Sequence, residues 1–163
     1  FGGYDNDGFI EKVIDSLSKI KTITLGTIFI IVDKASEKRV TAFCSDLDQN
    51  VKIISSPDYL GKIYSEVDVC IGSSGISTYE RIFFGIPSLI FVKAKNQNET
   101  SENIIFNGFA VALKDFSSNL VNKNIIKFLN SEKLNKMNQN MKNFIDLEGS
   151  NRIASEIRSL IER

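Results

Sequence analysis

The expected fold rests on one stretch, residues 67–97, which reads VDVCIGSSGISTYERIFFGIPSLIFVKAKNQ. Its first part, Val67–Ile71, is a short apolar run whose β-branched residues are typical of a buried strand. A turn with two glycines follows, and then a helical segment that we expect to end at Gly85, just before Pro87. Ser88–Val92 predicts a second buried strand. The stretch therefore predicts a parallel strand–helix–strand unit, and ligands of parallel sheets bind at the turn after such a first strand.

The turn Gly72–Gly75 carries groups that suit a phosphate. We expect the turn to need its two glycines, which let the backbone approach a ligand, and free N–H groups at a helix start attract anions. Hydroxyl donors lie in and just after the turn, on Ser73, Ser74, Ser77 and Thr78. A glycine turn before a helix is also common in parallel folds, so the pattern alone leaves a purely structural turn open.

Glu80 has two interpretations. Its carboxylate can accept hydrogen bonds from both hydroxyls of a ribose, one turn into the helix that follows the glycine turn. The sequence Ser77-Thr78-Tyr79-Glu80 also has the pattern of a capping box, with Ser77 at the N-cap and Glu80 three positions later. The pattern favours neither reading, so a ribose ligand and a helix cap both stay open.

Composition restricts the class of protein. The chain has 163 residues, 42% hydrophobic and 25% charged, which suits one globular domain over residues 1–163. Basic and acidic residues number 20 each, and this zero net charge argues against nucleic-acid binding. No apolar run reaches the roughly 18 residues of a membrane span. The chain has no histidine, so it lacks the commonest general base.

The two cysteines indicate the cellular compartment of the protein, and the first residues indicate that the chain is a fragment. Cys44 and Cys70 are expected in or beside apolar strands and have no metal-ligand spacing, so we expect reduced thiols in a cytoplasmic protein, with no bound metal or cofactor. The opening FGGYD, residues 1–5, looks like a strand-to-helix turn whose strand has been cut off. We therefore expect a fragment of a longer protein that lacks its first strand.

Strand and helix patterns alternate along the rest of the chain. This alternation predicts an α/β fold, with a Rossmann-like, doubly wound parallel sheet and helices on both faces. Strands are expected at about 22–32, 51–54, 67–71, 88–92 and 109–113, and helices over about 8–20 and 58–66, before Asn107-Gly108, and over about 117–129, 131–144 and 151–162. The last two helices have apolar faces, formed by Leu134, Met137, Met141 and Phe144 and by Ile153, Ile157 and Leu160.

The segments FGGYD, DVCIGSSGISTYERIFFGIPSLIFV and NQ, with the turn EGSNR at 148–152, together resemble a known family. They are similar to the C-terminal domain of the UDP-sugar hydrolases of pseudaminic acid biosynthesis and of related spore-coat polysaccharide biosynthesis proteins. A wider resemblance is to the glycosyltransferases that add N-acetylglucosamine to lipid II. It covers almost the whole chain and implies one half of a GT-B fold, whose other half is an N-terminal domain missing here.

The resemblance also implies residue roles. Residues implied to bind the nucleotide and its phosphates are Gly2, Gly3, Ser74, Gly75, Ile76, Ser77, Thr78 and Glu80, with Glu80 on the ribose. Asn96 and Gln97 are implied to contact the sugar, and residues 55–60 to form a wall for the uracil. Many relatives have a third glycine where Ser73 or Ser74 stands, so a serine there either crowds the loop or adds a hydroxyl contact.

Three functions are compatible with these residues. In the hydrolases, the base is thought to be a histidine of the N-terminal domain, so we expect no catalytic residue here and an inactive isolated chain. The first function is a UDP-sugar hydrolase, which the GSSGISTYER turn followed by NQ favours. The second is a lipid II type glycosyltransferase. The third is a non-catalytic nucleotide-binding subunit of a split transferase.

Overall fold

Strands and helices alternate along the chain, as the sequence predicts. The computed structural model of the protein describes residues 8–45, 47–91, 98–113 and 117–162, with the backbone alone at 118 and 119. The strands are β1 (Ile28–Val32), β2 (Val51–Ser55), β3 (Cys70–Ser73), β4 (Ser88–Phe91) and β5 (Ala110–Ala112). The helices are α1 (Phe9–Ser18), α2 (Glu37–Cys44), α3 (Gly61–Tyr64), α4 (Ser77–Phe83), α5 (Asn98–Phe106), α6 (Ser118–Leu129), α7 (Lys133–Met141) and α8 (Gly149–Ile161).

Every strand pairing is parallel, which confirms the predicted α/β class. β1 pairs with β2, with Ile28 opposite Val51. β4 lies between β3 and β5, and its first residue, Ser88, lies opposite both Cys70 and Ala110. These pairings form two separate groups of strands, β1-β2 and β3-β4-β5. The sequence predicted one sheet and did not indicate this division.

β4 is the centre of the larger core. All four of its residues are buried, as expected for a parallel strand with helices on both faces. The core around it is completed by apolar residues of α1, α4, α5, α6 and α7, including Leu17, Ile82, Ile104, Ile125 and Met141. A smaller cluster joins α1 and α2 to β1 through Ile10, Ile14, Ile30, Val32 and Val40. Strong apolar periodicity in the sequence therefore corresponds to buried contacts in most of the helices.

Helix α7 closes the ends of two other helices. Gly85, with a φ of 69°, follows the C-cap of α4 as predicted, and Gly108, with a φ of 70°, lies just after α5. Asn138 donates from Nδ2 to the Gly85 carbonyl at 2.7 Å, and Asn140 donates to the Asn107 carbonyl at 3.3 Å. These side chains satisfy carbonyl groups that a helix end leaves without a partner.

Several predicted boundaries differ from the structure. β3 begins at Cys70 rather than Val67, because its register is set by β4, and the Cys70 N–H donates to the Pro87 carbonyl at 3.0 Å. β1 begins at Ile28 rather than at residue 22, since pairing with β2 begins there. The predicted helix over 58–66 has only the four residues of α3.

The C-terminal helix differs from the prediction in its packing. α8 is amphipathic, but none of its residues is buried, and Ile153, Ile157 and Leu160 are all more than half exposed. An apolar stripe shows that a helix has a face suited to burial, but it does not say which element buries it. None of the described helices is long and apolar enough to cross a membrane. Cys44 and Cys70 are free thiols.

Candidate functional site

The predicted binding turn lies at the carboxyl end of β3, where residues 74–76 connect this strand to α4. The Ser74 N–H donates to the Phe91 carbonyl at 3.0 Å, which fixes the loop to the end of β4. The Ser74 side chain is only 1% exposed, and its Oγ lies 2.5 Å from Oγ of Ser101 in α5. Its hydroxyl therefore joins the loop to α5 while its N–H joins the loop to β4, so Ser74 stabilises the loop from within.

Thr78 also directs its hydroxyl inward. It is 1% exposed, and its Oγ1 donates to the Ser73 carbonyl at 3.4 Å. The same Oγ1 accepts a hydrogen bond from Arg81 Nη2 at 2.7 Å. Of the four hydroxyl side chains that the sequence suggested as ligand donors, Ser73, Ser74 and Thr78 are buried and Ser77 is half-buried. The buried hydroxyl groups therefore stabilise the loop from the side of the protein core.

The tip of the loop is formed by Gly75 and Ile76. Ile76 is 85% exposed. Gly75 does not have a positive φ, and a Cβ added to it would meet no atom within 4 Å. The two hydrogen bonds that begin the helix run from Thr78 N–H to Gly75 O and from Tyr79 N–H to Ile76 O, both at 2.9 Å. Among the described residues, the N–H groups of Gly75, Ile76 and Ser77 have no backbone acceptor, so they are available to an anion.

The predicted capping box is wrong. The N-cap position belongs to Ile76, which has helical angles (φ −54°, ψ −39°), and no side chain caps the helix. The chain already follows the helix at this point, so Ser77 is the first residue of α4 and its side chain is not placed to cap. Neither Gly72 nor Gly75 has a positive φ, so the backbone angles of the turn do not require glycine.

Glu80 lies on the exposed side of α4, next to Tyr64 of α3. The pKa of Tyr64 is raised to about 12, chiefly because its phenol is partly buried. Cys70 and the Glu80 carboxylate raise this pKa further, the carboxylate by its charge and by a hydrogen bond with the phenol, and the positive charge of Arg81 lowers it. Glu80 therefore contacts Tyr64 and not Ser77, and its exposed carboxylate can accept further hydrogen bonds.

Arg81 is the functional candidate that the sequence reasoning missed. It is 2% exposed, and its Nη2 donates to the Ser73 carbonyl at 2.8 Å as well as to Thr78. Nε donates to the Ser77 carbonyl at 3.2 Å, and Nη1 contacts Cys70 Sγ at 3.4 Å. All these acceptors are neutral, and within the described ranges Arg81 forms no ion pair. A positive charge is thus buried directly behind the loop.

The position of Arg81 also explains why residue 72 is a glycine. A Cβ added to this glycine would lie 3.2 Å from Arg81 Nη1, so the glycine makes room for the guanidinium. This gives Gly72 a structural reason, and the expectation that it lets the backbone approach a ligand stays a prediction. Thr78, Arg81 and Ile82 are the buried residues of α4, at the i, i+3, i+4 spacing of one helix face. The position of Arg81 on this otherwise uncharged face was the signal in the sequence that could have identified it as a buried arginine.

The remaining predicted site residues lie away from this loop in the sequence. Gly2, Gly3, Asn96 and Gln97 lie outside the described residues. The loop 55–60, predicted to form a wall for the uracil, follows β2. It contains Ser56 with a φ of 42°, and Tyr59, whose side chain is 73% exposed. The structure brings Ser74, Gly75, Ile76, Ser77, Thr78 and Glu80 together around one loop.

Comparisons with known proteins bear on the fold. No family model matches this chain, and no curated protein matches it. Among solved structures, the chain is similar to the crystal structure of MurG from Acinetobacter baumannii, with a TM-score of 0.81 and 16% sequence identity. The match covers 97% of this chain and 48% of that one, so this chain spans about half the length of that structure. The fold is therefore that of one Rossmann-like half of a GT-B protein.

Proposed function

We propose that this chain is the half of a GT-B enzyme that binds a nucleotide sugar, with UDP as the nucleotide. The observation that carries the proposal is Gly75. Neither its backbone angle nor its packing requires a glycine, yet it stands at the tip of the loop after β3. Close approach of a ligand to the backbone is the physical reason that remains. In parallel α/β sheets, ligands bind beyond the carboxyl ends of the strands, where this loop lies.

The charge of the site supports a diphosphate. Three N–H groups, on Gly75, Ile76 and Ser77, are available at the loop, and oriented N–H groups attract anions. The buried guanidinium of Arg81 adds a positive charge behind them without a described carboxylate to neutralise it. A buried, unpaired charge is unfavourable, and a bound anion nearby would offset part of that cost.

The exposure of Glu80 supports a role for its carboxylate in binding the ribose. Its carboxylate is exposed and lies less than two turns from the loop tip, on the same helix. A carboxylate has two oxygens with about four acceptor sites, so a hydrogen bond from Tyr64 leaves room for both hydroxyls of a ribose. The assignment of UDP, rather than another nucleotide, rests on the family resemblance of the sequence. The sugar contacts proposed for Asn96 and Gln97 rest on it as well.

Binding of UDP to the purified chain, measured by isothermal titration calorimetry beside CMP, GDP and ADP, tests the proposal. Gly75→Ala should weaken UDP binding about tenfold or more, because its methyl group would occupy the space of the ligand. Gly26→Ala is the matched control, since Gly26 also lacks a positive φ and has no atom within 4 Å of an added Cβ. Equal UDP affinities for the two variants would contradict the proposed site.

For the reaction we propose hydrolysis of a UDP-sugar, on the sequence resemblance, within surface polysaccharide or nonulosonic (pseudaminic-type) sugar biosynthesis. The second candidate is transfer of the sugar to an acceptor, which the structural likeness to MurG favours. Incubation of the full-length protein with UDP-N-acetylglucosamine and no acceptor separates them. Release of free sugar at a rate that an added lipid acceptor does not raise indicates a hydrolase, whereas product formation that requires the acceptor indicates a transferase.

A further inference from the structure

One guanidinium group connects the two ends of the loop 74–76. Nη2 of Arg81 donates to the carbonyl of Ser73, the last residue of β3, at 2.8 Å. Nε of the same side chain donates to the carbonyl of Ser77, the first residue of α4, at 3.2 Å. A guanidinium is planar and holds its donors in a rigid fork, so it fixes the position of one carbonyl relative to the other. A lysine would offer a single ammonium group and no such fork.

The loop directs two of its N–H groups away from the helix. The Gly75 carbonyl accepts a hydrogen bond from the Thr78 N–H at 2.9 Å. The Ile76 carbonyl accepts one from the Tyr79 N–H, also at 2.9 Å. A peptide group is planar and trans, so its N–H points opposite to its carbonyl. The N–H groups of Ile76 and Ser77 share peptide groups with these two carbonyls, and they therefore point outward from the start of α4.

Arg81 occupies space that the sequence keeps free for it. Sγ of Cys70 lies 3.4 Å from Nη1, and a Cβ added to Gly72 would lie 3.2 Å from the same atom. These two small residues are two positions apart in β3 and so lie on the same face of the strand.

The burial of Arg81 is unfavourable for stability. Arg81 is 2% exposed, and its described acceptors are all neutral. A buried charge without an opposite charge costs free energy, and an apolar side chain of similar size would avoid this cost. Packing alone therefore does not account for an arginine here, whereas a role at the loop does.

We propose that Arg81 is a positioning residue that makes the site specific for a diphosphate. The fork fixes both ends of the loop, so the N–H groups of Ile76 and Ser77 are held in the direction from which they donate to phosphate oxygens. The positive charge behind the loop favours an anionic ligand over a neutral one. This inference rests on the proposed function, since it concerns the same nucleotide site. It divides the binding of UDP into a phosphate part, which depends on Arg81, and a nucleoside part, which does not.

NMR titration of UDP and of uridine into the 163-residue chain and three variants tests the inference. Arg81→Met keeps a long side chain but removes both the charge and the fork. Arg81→Lys keeps the charge and removes only the fork. The matched control is Arg158→Met, which removes an arginine from the exposed helix α8. Circular dichroism checks that each variant is folded, and Arg81→Lys carries the test if Arg81→Met does not fold.

Both substitutions of Arg81 should weaken UDP binding about tenfold or more and change uridine binding by less than about twofold. Arg158→Met should leave both affinities unchanged. Loss of UDP and uridine binding by the same factor would overturn the inference, because it would show a merely structural role. An unchanged UDP affinity in either Arg81 variant would also overturn it, and so would an equal loss in the Arg158→Met control.

A measurement without ligand tests the positioning role by itself. Heteronuclear NOE values of the backbone amides report order on the picosecond to nanosecond timescale. Arg81→Lys should lower these values at Ile76 and Ser77 and leave them unchanged at Leu89 and Ile90 of β4. Equal values at the loop in both chains would overturn the inference, whether or not UDP binds.

Inorganic pyrophosphate separates failure of this inference from failure of the proposed function. If the unaltered chain binds no UDP, the proposed function is contradicted, and a pyrophosphate titration of the same chains then decides the role of Arg81. Weaker pyrophosphate binding by Arg81→Lys than by the unaltered chain supports the inference. Equal binding by the two chains, or binding by neither, overturns it.

Discussion

Glu80 is the residue at which a structural and a functional role separate most clearly. The absence of a capping box removes one structural role, and the contact with Tyr64 is the one that remains. If Glu80 binds the ribose, Glu80→Gln should weaken UDP binding by roughly 1.5–3 kcal/mol, about ten- to a hundredfold, because charge-assisted hydrogen bonds are lost. The melting temperature should change by no more than a few degrees.

The sharpest readout for Glu80 is the preference for UDP over its 2′,3′-dideoxy analogue. Glu80→Gln should remove most of this preference, and Glu156→Gln on the exposed helix α8 should leave it intact. Calorimetric titration of both variants with both nucleotides gives the comparison. A Glu80→Gln variant that keeps the full ribose preference would show that this carboxylate does not bind the ribose.

Tyr64 gives a prediction for alkaline pH. Its pKa rises from 10.0 to about 12 in the folded protein, so the unfolded chain loses this proton first. The contribution of Tyr64 to stability is therefore complete below pH 10 and is lost as the pH rises from 10 to 12. Ultraviolet titration should show one tyrosinate transition near pH 12, which Tyr64→Phe removes. A transition near pH 12 that survives in Tyr64→Phe would assign this raised pKa to another tyrosine.

At the scale of elements, the end of α4 is specified by Gly85. Its φ of 69° is unfavourable for other residues, and an added Cβ would lie 2.8 Å from Asn138 Nδ2. Gly85→Ala should therefore reduce the free energy of unfolding by about 1–2 kcal/mol from the backbone alone. Gly75→Ala should change it by less than about 0.5 kcal/mol, because no such constraint applies. Urea denaturation measures both, and equal losses would contradict this account.

The sequence predicted element types better than element boundaries. The apolar run 88–92 predicted β4, and Gly85 predicted the end of α4, because both features depend on local residues and on burial. The start of β3 depends on its register with β4, which single-strand patterns do not contain. The capping box failed for a related reason, since the chain enters the helix one residue before Ser77. Arg81 was missed because charged residues are normally assigned to exposed helix faces.

At the scale of the whole molecule, the proposal that this chain is one half of a GT-B enzyme gives it one face of the site. A ligand bound from one side is buried less than the 70–90% typical of closed pockets. We therefore expect the isolated chain to bind UDP with a Kd no better than about 100 μM, near −5.5 kcal/mol, and to turn over no UDP-sugar. The absence of histidine from the sequence supports the second part. Turnover by the purified 163-residue chain would contradict it.

The cap that Asn138 of α7 gives to α4 forms late in the synthesis of the protein. Asn138 lies 53 residues after Gly85, the residue whose carbonyl it caps. At translation rates of roughly 5–20 residues per second, these 53 residues take roughly 3–11 s to synthesise. During that interval α4 lacks this cap at its C-terminal end, and Met137 and Met141 have not yet joined the core. An interruption of synthesis before α7 would therefore release a chain in which the C-terminal end of α4 lacks this cap.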